Sequence, residues 1–349
     1  MRKSWYPIEF SKDVKATEPY GIALLGDPLV LFRNAKGVIQ CVSDRCPHRS
    51  APLSLGLVKK GELECLYHGW RFGDGGECTH IPSIPGNPSK ANWCTQAYPV
   101  IEKFGLVWVW PVPGDPEATE DKIPSQVFAE LLDSQYRHNI HKRDLNVEHG
   151  LMVENLTDPA HLPFTHKGTI GRFESRDEAM GMEIRYDSLN AIREEDFKEM
   201  EEKRPHYVPK NTAAVVGDLY YSQKKEDWNR IMPMAFVAPC VSRFTAGISK
   251  SHHMIQVHFS VPITKTKCRL FSMLIYNGHV PPQHLLPQFI NKWFNNKIID
   301  EDIILVAGQQ RNIWRGANPW QSTVSADKIG VRYRKWRRKQ ELSSPVWFK

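Results

Sequence analysis

The chain of 349 residues contains no apolar run of the roughly 18 or more residues that would suggest a membrane-spanning helix. Its opening, MRKSWYPIEF, carries basic residues but no long apolar segment and no small-residue cleavage site, so it reads as the start of a mature, intracellular chain. Internal repeats and low-complexity runs are missing, and so is any glycine-rich fingerprint for a flavin or nicotinamide. Cysteine is sparse. Seven residues, an odd number without an export signal, favour free thiols and metal ligands over a disulfide framework. No recognised nucleic-acid-binding motif accompanies the net charge of +7. That charge reads either as plain solubility or as a field complementary to an acidic macromolecule, such as a small acidic electron carrier.

What is present suffices for a core: 41% of residues are hydrophobic and 24% charged, enough for one large domain or two of ordinary size. Between residues 28 and 110, short apolar runs (LVLFR, VIQCV, GLVWVWP) alternate with turn signals such as GDGGEC, which reads as all-β. The segment PVPGDPEATEDKIP at 111–124 is rich in Pro and acid and marks a boundary, dividing the chain into 1–112 and 113–349. The second part is mixed. Its charged stretch REEDFKEMEEKR at 193–204 reads as a solvated excursion or a mobile lid. Three antiparallel strands are expected at MAFVAPCVSRFTAGI, HMIQVHFSVPI and KCRLFSMLIYNG, and a helix over 286–314, stopped by Gly316. Met232, Met234, Phe236, Phe244, Met254, Phe259, Phe271 and Met273 fall on these strands, as core or as pocket lining. The class is α+β.

Two short loops in the β-rich part carry CPHRSAPLSLG and CLYHGW. They supply Cys46 and His48, then after sixteen residues Cys65 and His68. Two cysteines and two histidines suit tetrahedral zinc or an iron–sulfur cluster. Zinc fingers usually segregate the two ligand types, whereas here each loop carries one of each. That arrangement resembles the Rieske 2Fe–2S motif. Cys41, Cys78, Cys94, Cys240 and Cys268 read as ordinary core or surface thiols.

A second constellation lies in NLTDPAHLPFTH, residues 155–166. On an unbroken helix His161 and His166 would point about 140° apart. Pro159 suits a first helical turn, and Pro163 favours a break that turns both imidazoles toward one point. Two histidines and a carboxylate make the facial triad of non-haem iron sites, and IDEDIILVAGQQ offers Asp300, Glu301 and Asp302. Asp302, beside an apolar run where an unpaired carboxylate is costly, is the expected third ligand, with Asp300 in reserve. Gln309 lies about two turns further along the same face.

With these residues in place, the chain resembles the Rieske non-haem iron oxygenases, whose catalytic motif runs N-x2-D-x2-H-x4-H and whose third ligand is an Asp in a C-terminal helix. The resemblance implies an N-terminal all-β Rieske domain and a helix-grip (START-like) catalytic domain with an antiparallel sheet and a long C-terminal helix. The cofactors it implies are a 2Fe–2S cluster on Cys46, His48, Cys65 and His68 and a mononuclear Fe(II) on His161, His166 and Asp302, with dioxygen as co-substrate. It also implies reduced ferredoxin as electron donor and a head-to-tail homotrimer. There Asp158 joins His161 to His68 of the partner subunit, and Asn155 lies near the iron. The plain alternative for Asn155 and Asp158 is a helix N-cap.

The flanks NVEHGLMVENLTDPAHLPFTH and GQQRNIWRGANPWQSTVSADKIGVRYRKWR are similar to the chlorophyllide a oxygenase branch of that family. DRCPHRSAPLSLG and ECLYHGWRFG look equally like the relatives that oxidise pheophorbide a or protochlorophyllide a. The resemblance implies two successive monooxygenations of the C7 methyl of chlorophyllide a to a formyl group. The regulatory domain and transit peptide of plant chlorophyllide a oxygenases find no counterpart here, nor does the C-terminal C-x-x-C of pheophorbide oxygenases, which suits a minimal form. The implied location is cytoplasmic or stromal, free or peripheral to the thylakoid membrane, with no nucleic-acid partner. Rival readings are a different hydrophobic ring substrate, a Rieske electron carrier, and a non-catalytic binder using a helix-grip cavity. The tail RYRKWRRK at 332–339 reads as a solvated surface or a docking site for ferredoxin.

Overall fold

The computed structural model describes residues 1–84, 93–132, 134–170, 181–188, 214–222, 229–249, 252–277 and 287–343; the charged stretch 193–204 lies outside them. The chain divides into two compact units. The first holds Met1–Ile123 with Val261–Lys265, the second Pro124–Ser260 and Thr266–Ser344.

Among the described residues the first unit is built from ten short strands: β1 (Tyr6–Phe10), β2 (Tyr20–Leu24), β3 (Asp27–Arg33), β4 (Ile39–Ser43), β5 (Leu57–Lys59), β6 (Glu62–Glu64), β7 (Arg71–Phe72), β8 (Cys78–His80), β9 (Val100–Lys103) and β10 (Leu106–Val109). They form three sheets ordered β1-β10-β9, β2-β3-β4 and β5-β6-β7-β8. Three hairpins close on two-residue turns, Leu25–Gly26, Lys60–Gly61 and Phe104–Gly105, with φ positive at both positions. Such turns match the twist of paired strands. Trp5 and Trp110 meet edge to face at 5.6 Å in the core. Trp5 Nε1 donates to the Thr119 carbonyl and Trp110 Nε1 to Asp115 Oδ2. These bonds hold the Pro- and acid-rich segment against the first unit, which therefore continues to Ile123.

The second unit carries a seven-stranded antiparallel sheet. Its strands are β11 (Tyr136–Leu145), β12 (Gly181–Ser188), β13 (Ala214–Ser222), β14 (Asn229–Val237), β15 (Val241–Ser249), β16 (His252–Thr264) and β17 (Lys267–Asn277), in the order β11-β17-β16-β15-β14-β13-β12. MAFVAPCVSRFTAGI, expected as one strand, is the end of β14 and most of β15, folded at Ala238–Cys240 so that Val237 pairs with Val241. Pro239 lacks an N–H for a ladder, which suits the turn.

Among the described residues four α-helices complete the unit: α1 (His149–Leu156), the one-turn α2 (Leu162–Thr165), α3 (Gln288–Trp314) and α4 (Lys328–Ser343). The expected helix is present, and the chain leaves it through Arg315 and Gly316, whose φ is +96°. Its early apolar positions do not face the core: Phe289 and Trp293 are exposed. The buried face begins further on, where Ile299 and Val306 pack with Leu145, Leu151, Cys268 and Leu270. The basic tail is likewise not a solvated strip. It lies in α4, which buries Ile329 and Tyr333 with Val153, Met234 and Phe236. Each large side chain so buried contributes about 1.5–3 kcal/mol. The sheet's Met and aromatic residues are thus largely core: Met234, Phe236, Phe259, Phe271 and Met273 are buried, while of Met232 only the backbone is described. Among the described residues, no helix is long and apolar enough to cross a membrane.

Candidate metal centres

In the first unit, the two ligand loops share one hydrogen-bond pattern. Cys46 N donates to the Ala51 carbonyl and Ser50 N to the Cys46 carbonyl; Cys65 N donates to the Trp70 carbonyl and Gly69 N to the Cys65 carbonyl. The fourth residue after each cysteine takes a positive φ, +57° at Ser50 and +70° at Gly69. A Cβ at Gly69 would also approach Pro82 Cγ to 3.0 Å, so glycine fits there best. The result is two matching loops, each with a buried cysteine and an exposed histidine.

Burial, with the neighbouring Cys65 thiol, pushes the Cys46 thiol up to about 11. The imidazoles of His48 and His68 lie 4.5 Å apart, with Trp70 stacked on His48 at 4.8 Å and Tyr67 against His68. Two cysteines and two neighbouring imidazoles, one of each kind from each loop, fit a cluster with two differently ligated irons.

The second unit holds the other constellation. Asp158 accepts from Ala160 N and caps a short turn at Pro159–His161, and Pro163 then sits in the first turn of α2, where its missing N–H costs nothing. The chain bends between the two histidines, and the rings come within 5.3 Å. On α3, Asp302 presents Oδ1 to both: 3.4 Å from His161 Nε2 and 3.3 Å from His166 Nε2. The donor atoms of His161, His166 and Asp302 all lie within 4.8 Å of one another. Burial, reinforced by His166, lowers His161 to about 4, so its imidazole is neutral with a lone pair to offer. Burial raises Asp302 from the ordinary carboxylate value, opposed by His166 and the Asn155 bond. Two imidazoles and a carboxylate are the donor set that suits iron.

Asp300, the reserve ligand, points elsewhere: it pairs with Arg143 at 2.5 Å and is exposed. Asn155, in the last turn of α1, donates Nδ2 to Asp302 Oδ1 at 3.3 Å, while its own Oδ1 is buried with no hydrogen-bond partner among the described residues. The N-cap alternative holds for Asp158 and not for Asn155. Asp158 is also 3.9 Å from His161 Nδ1, with 38% of its side chain exposed. Burial and the Asp327 and Asp302 charges push Asp158 up to about 6, against the Ala160 N–H bond.

Four side chains take roles that the sequence reading did not give them. Glu301 Oε2 lies 3.1 Å from His166 Nδ1 and accepts from Thr169 Oγ1; its place beside Asp302 was the only sequence signal. Gln310, rather than Gln309, is buried, and its Oε1 accepts from Glu148 N. The basic tail supplies Arg337, 2.9 Å from Glu148, and Arg334, 2.7 Å from Glu154. A Cβ at Gly150 would sit 1.8 Å from Arg337 Nη1, which explains the glycine of VEHGL. These ion pairs brace α1, the helix that carries Asn155 to Asp302.

A family model described as Rieske [2Fe-2S] domain matches residues 4–99, and one described as Vanillate O-demethylase oxygenase C-terminal domain matches 145–342, more than half of the chain. The chain belongs to the Rieske non-haem iron oxygenase family. Within it, the chain is similar to chlorophyllide a oxygenase of Chlamydomonas reinhardtii, 32% identical over 97% of this chain and 48% of the relative. It is 33% identical to chlorophyllide a oxygenase of Oryza sativa subsp. japonica, over 97% of this chain and 57% of the relative. The chain thus spans about half the length of the curated relatives it matches. Dicamba monooxygenase bound to dicamba shares the fold, with a TM-score of 0.76 at 22% identity over 99% of this chain and 98% of that one.

Proposed function

We propose that the protein is a ferredoxin-dependent monooxygenase that converts chlorophyllide a to chlorophyllide b. The observation that carries this reading is the convergence of His161, His166 and Asp302, bedded by Asn155 and Glu301, in a chain similar over nearly its whole length to chlorophyllide a oxygenases. The substrate's C7 methyl is hydroxylated once, then again to a gem-diol that loses water to leave a formyl group. Each hydroxylation consumes one dioxygen, two electrons and two protons and releases one water.

In this reading residues 1–112 are the electron-transfer domain and 113–349 the catalytic domain. Cys46, His48, Cys65 and His68 would hold the 2Fe–2S cluster, and His161, His166 and Asp302 the iron. When bound, the two groups supply one-electron transfer and reductive activation of dioxygen. Burial keeps His161 neutral, Glu301 holds the His166 ring in one tautomer, and Asn155 restrains the Asp302 carboxylate. Asp158, half-open to solvent beside His161, would join it to His68 of the partner subunit in a homotrimer; the exposure of both His68 and Asp158 supports this. The protein would work in the cytoplasm or stroma, free or peripheral to the thylakoid membrane.

The test is oxygen-dependent turnover of chlorophyllide a by the protein with reduced ferredoxin and a reductase. A C7-formyl product, lost in Cys46→Ser together with the labile sulfide, is expected. Turnover of pheophorbide a or protochlorophyllide a instead would keep the chemistry and change the substrate, an alternative that the cysteine-loop sequences also suit. Stoichiometric zinc without labile sulfide would remove the oxygenase reading.

A further inference from the structure

A cavity of about 730 Å³ opens in the second unit between the C-terminal end of α3, the turn that follows it and one flank of α4. None of His161, His166 and Asp302 lines it. Its size falls within the roughly 300–1,000 Å³ of small-molecule sites. The walls include Trp314, Pro319, Trp320 and Val331. Trp314 is 61% exposed, an unusual placement for so large an apolar ring.

The polar groups differ in how well they are matched. Arg334 and Arg337 are neutralised by Glu154 and Glu148. Lys335 and Arg338, about one turn apart on α4, are exposed and have no anionic partner among the described residues. Trp320 Nε1 is a buried donor with no acceptor among them, and the Arg334 guanidinium lies over its ring at 5.5 Å. Apolar walls and two unmatched cations define a complementary shape. A neutral ring would leave the cations unmatched, and a small inorganic anion would leave the indoles uncovered.

We propose that this cavity binds a flat, ring-bearing carboxylate, its rings against Trp314 and Trp320 and its carboxylate at Lys335 and Arg338. Such recognition joins aromatic contact with charge-assisted hydrogen bonding.

The experiment is equilibrium binding of 2-naphthoate and pyrene-1-carboxylate to the metal-loaded chain, read by tryptophan fluorescence and calorimetry. Saturable binding of one molecule per chain is expected, about tenfold tighter than the neutral analogue 2-naphthalenemethanol. The double variant K335E/R338E, altered only at exposed positions, weakens binding about tenfold or more. Trp320→Ala removes one of the two rings and weakens binding by a smaller factor. His161→Ala leaves the affinity unchanged, because it lies at the other site. Absence of saturable binding by either acid, undiminished affinity in K335E/R338E, or loss of binding in His161→Ala would each overturn the proposal.

Discussion

Glu301 Oε2 stands 3.1 Å from His166 Nδ1, while Nε2 of the same ring stands 3.3 Å from Asp302 Oδ1. Two adjacent carboxylates on α3 therefore address opposite edges of one imidazole. The outer one acts as acceptor for Nδ1–H, which leaves the Nε2 lone pair toward Asp302 and His161.

Removing that acceptor frees the ring to rotate and to change tautomer. Glu301→Ala is expected to lower affinity for Fe(II), or for Co(II) as a probe, by about 10–100-fold. Glu301→Gln, which retains an acceptor oxygen, restores part of it. Anaerobic metal titration calorimetry measures this, with the visible spectrum of the cluster as an unchanged internal reference. Native affinity in Glu301→Ala would show that the contact orients nothing.

The two aspartates at 300 and 302 separate cleanly. Asp302→Ala leaves two histidines without a carboxylate, so the mononuclear metal is lost while the cluster spectrum persists. Asp300→Ala breaks only an exposed pair with Arg143, worth about 0–1 kcal/mol. Metal content per chain after gel filtration distinguishes them, and the reverse pattern would assign the wrong carboxylate.

Arg337 is expected to govern stability rather than docking. Its partner Glu148 is pushed up by burial, but the His149 and Arg337 charges and the bonds from Arg337 and Gly150 N–H outweigh this and bring it to about 2. A carboxyl with a folded value below its unfolded one binds fewer protons when folded. Its stabilising contribution is therefore complete above the ordinary value of 4.5 and is lost as pH falls through about 2. Arg337→Ala strands Glu148 and should cost about 3–5 kcal/mol near neutral pH. Denaturant titrations at pH 7 and at pH 2–3 test both points: the gap between native and variant narrows on acidification. A gap that stays constant would dissociate Arg337 from Glu148.

Asp158 is expected to matter for electron delivery and not for assembly. Asp158→Asn keeps the size and weakens the charge-assisted contact with His161, so both metal centres load while turnover falls steeply. Mixing extends the test. Cys46→Ser and His161→Ala chains, each inactive alone, should regain activity when co-assembled, because an intact cluster site and an intact iron site then lie on different subunits. Mixed assemblies that remain inactive would place the transfer within one chain.

The sequence by itself determined the parts whose signals are local. Cys46, His48, Cys65 and His68 lie on short loops, where spacing nearly fixes geometry, and the β-rich run of the first unit follows from alternation and turn residues. The prolines around His161 and His166 announced a bend, because proline restricts the backbone wherever it stands. The apolar run beside Asp302 pointed to it, but only tertiary structure separated it from Asp300. Asp300 and Asp302 are equally acidic in the sequence, and only the rotation of α3 against α1 and the sheet turns one outward to Arg143 and the other inward. The same holds for Glu301, which gains its partner from a segment more than 130 residues earlier. Arg337 looked like one more surface cation. It became a buried ion-pair member because α4 lays Tyr333 against Phe236 and so carries the guanidinium to Glu148 at the start of α1. Long-range pairing of charges depends on how helices pack, and helix packing is written in the combined shape of many side chains rather than in any one stretch of sequence.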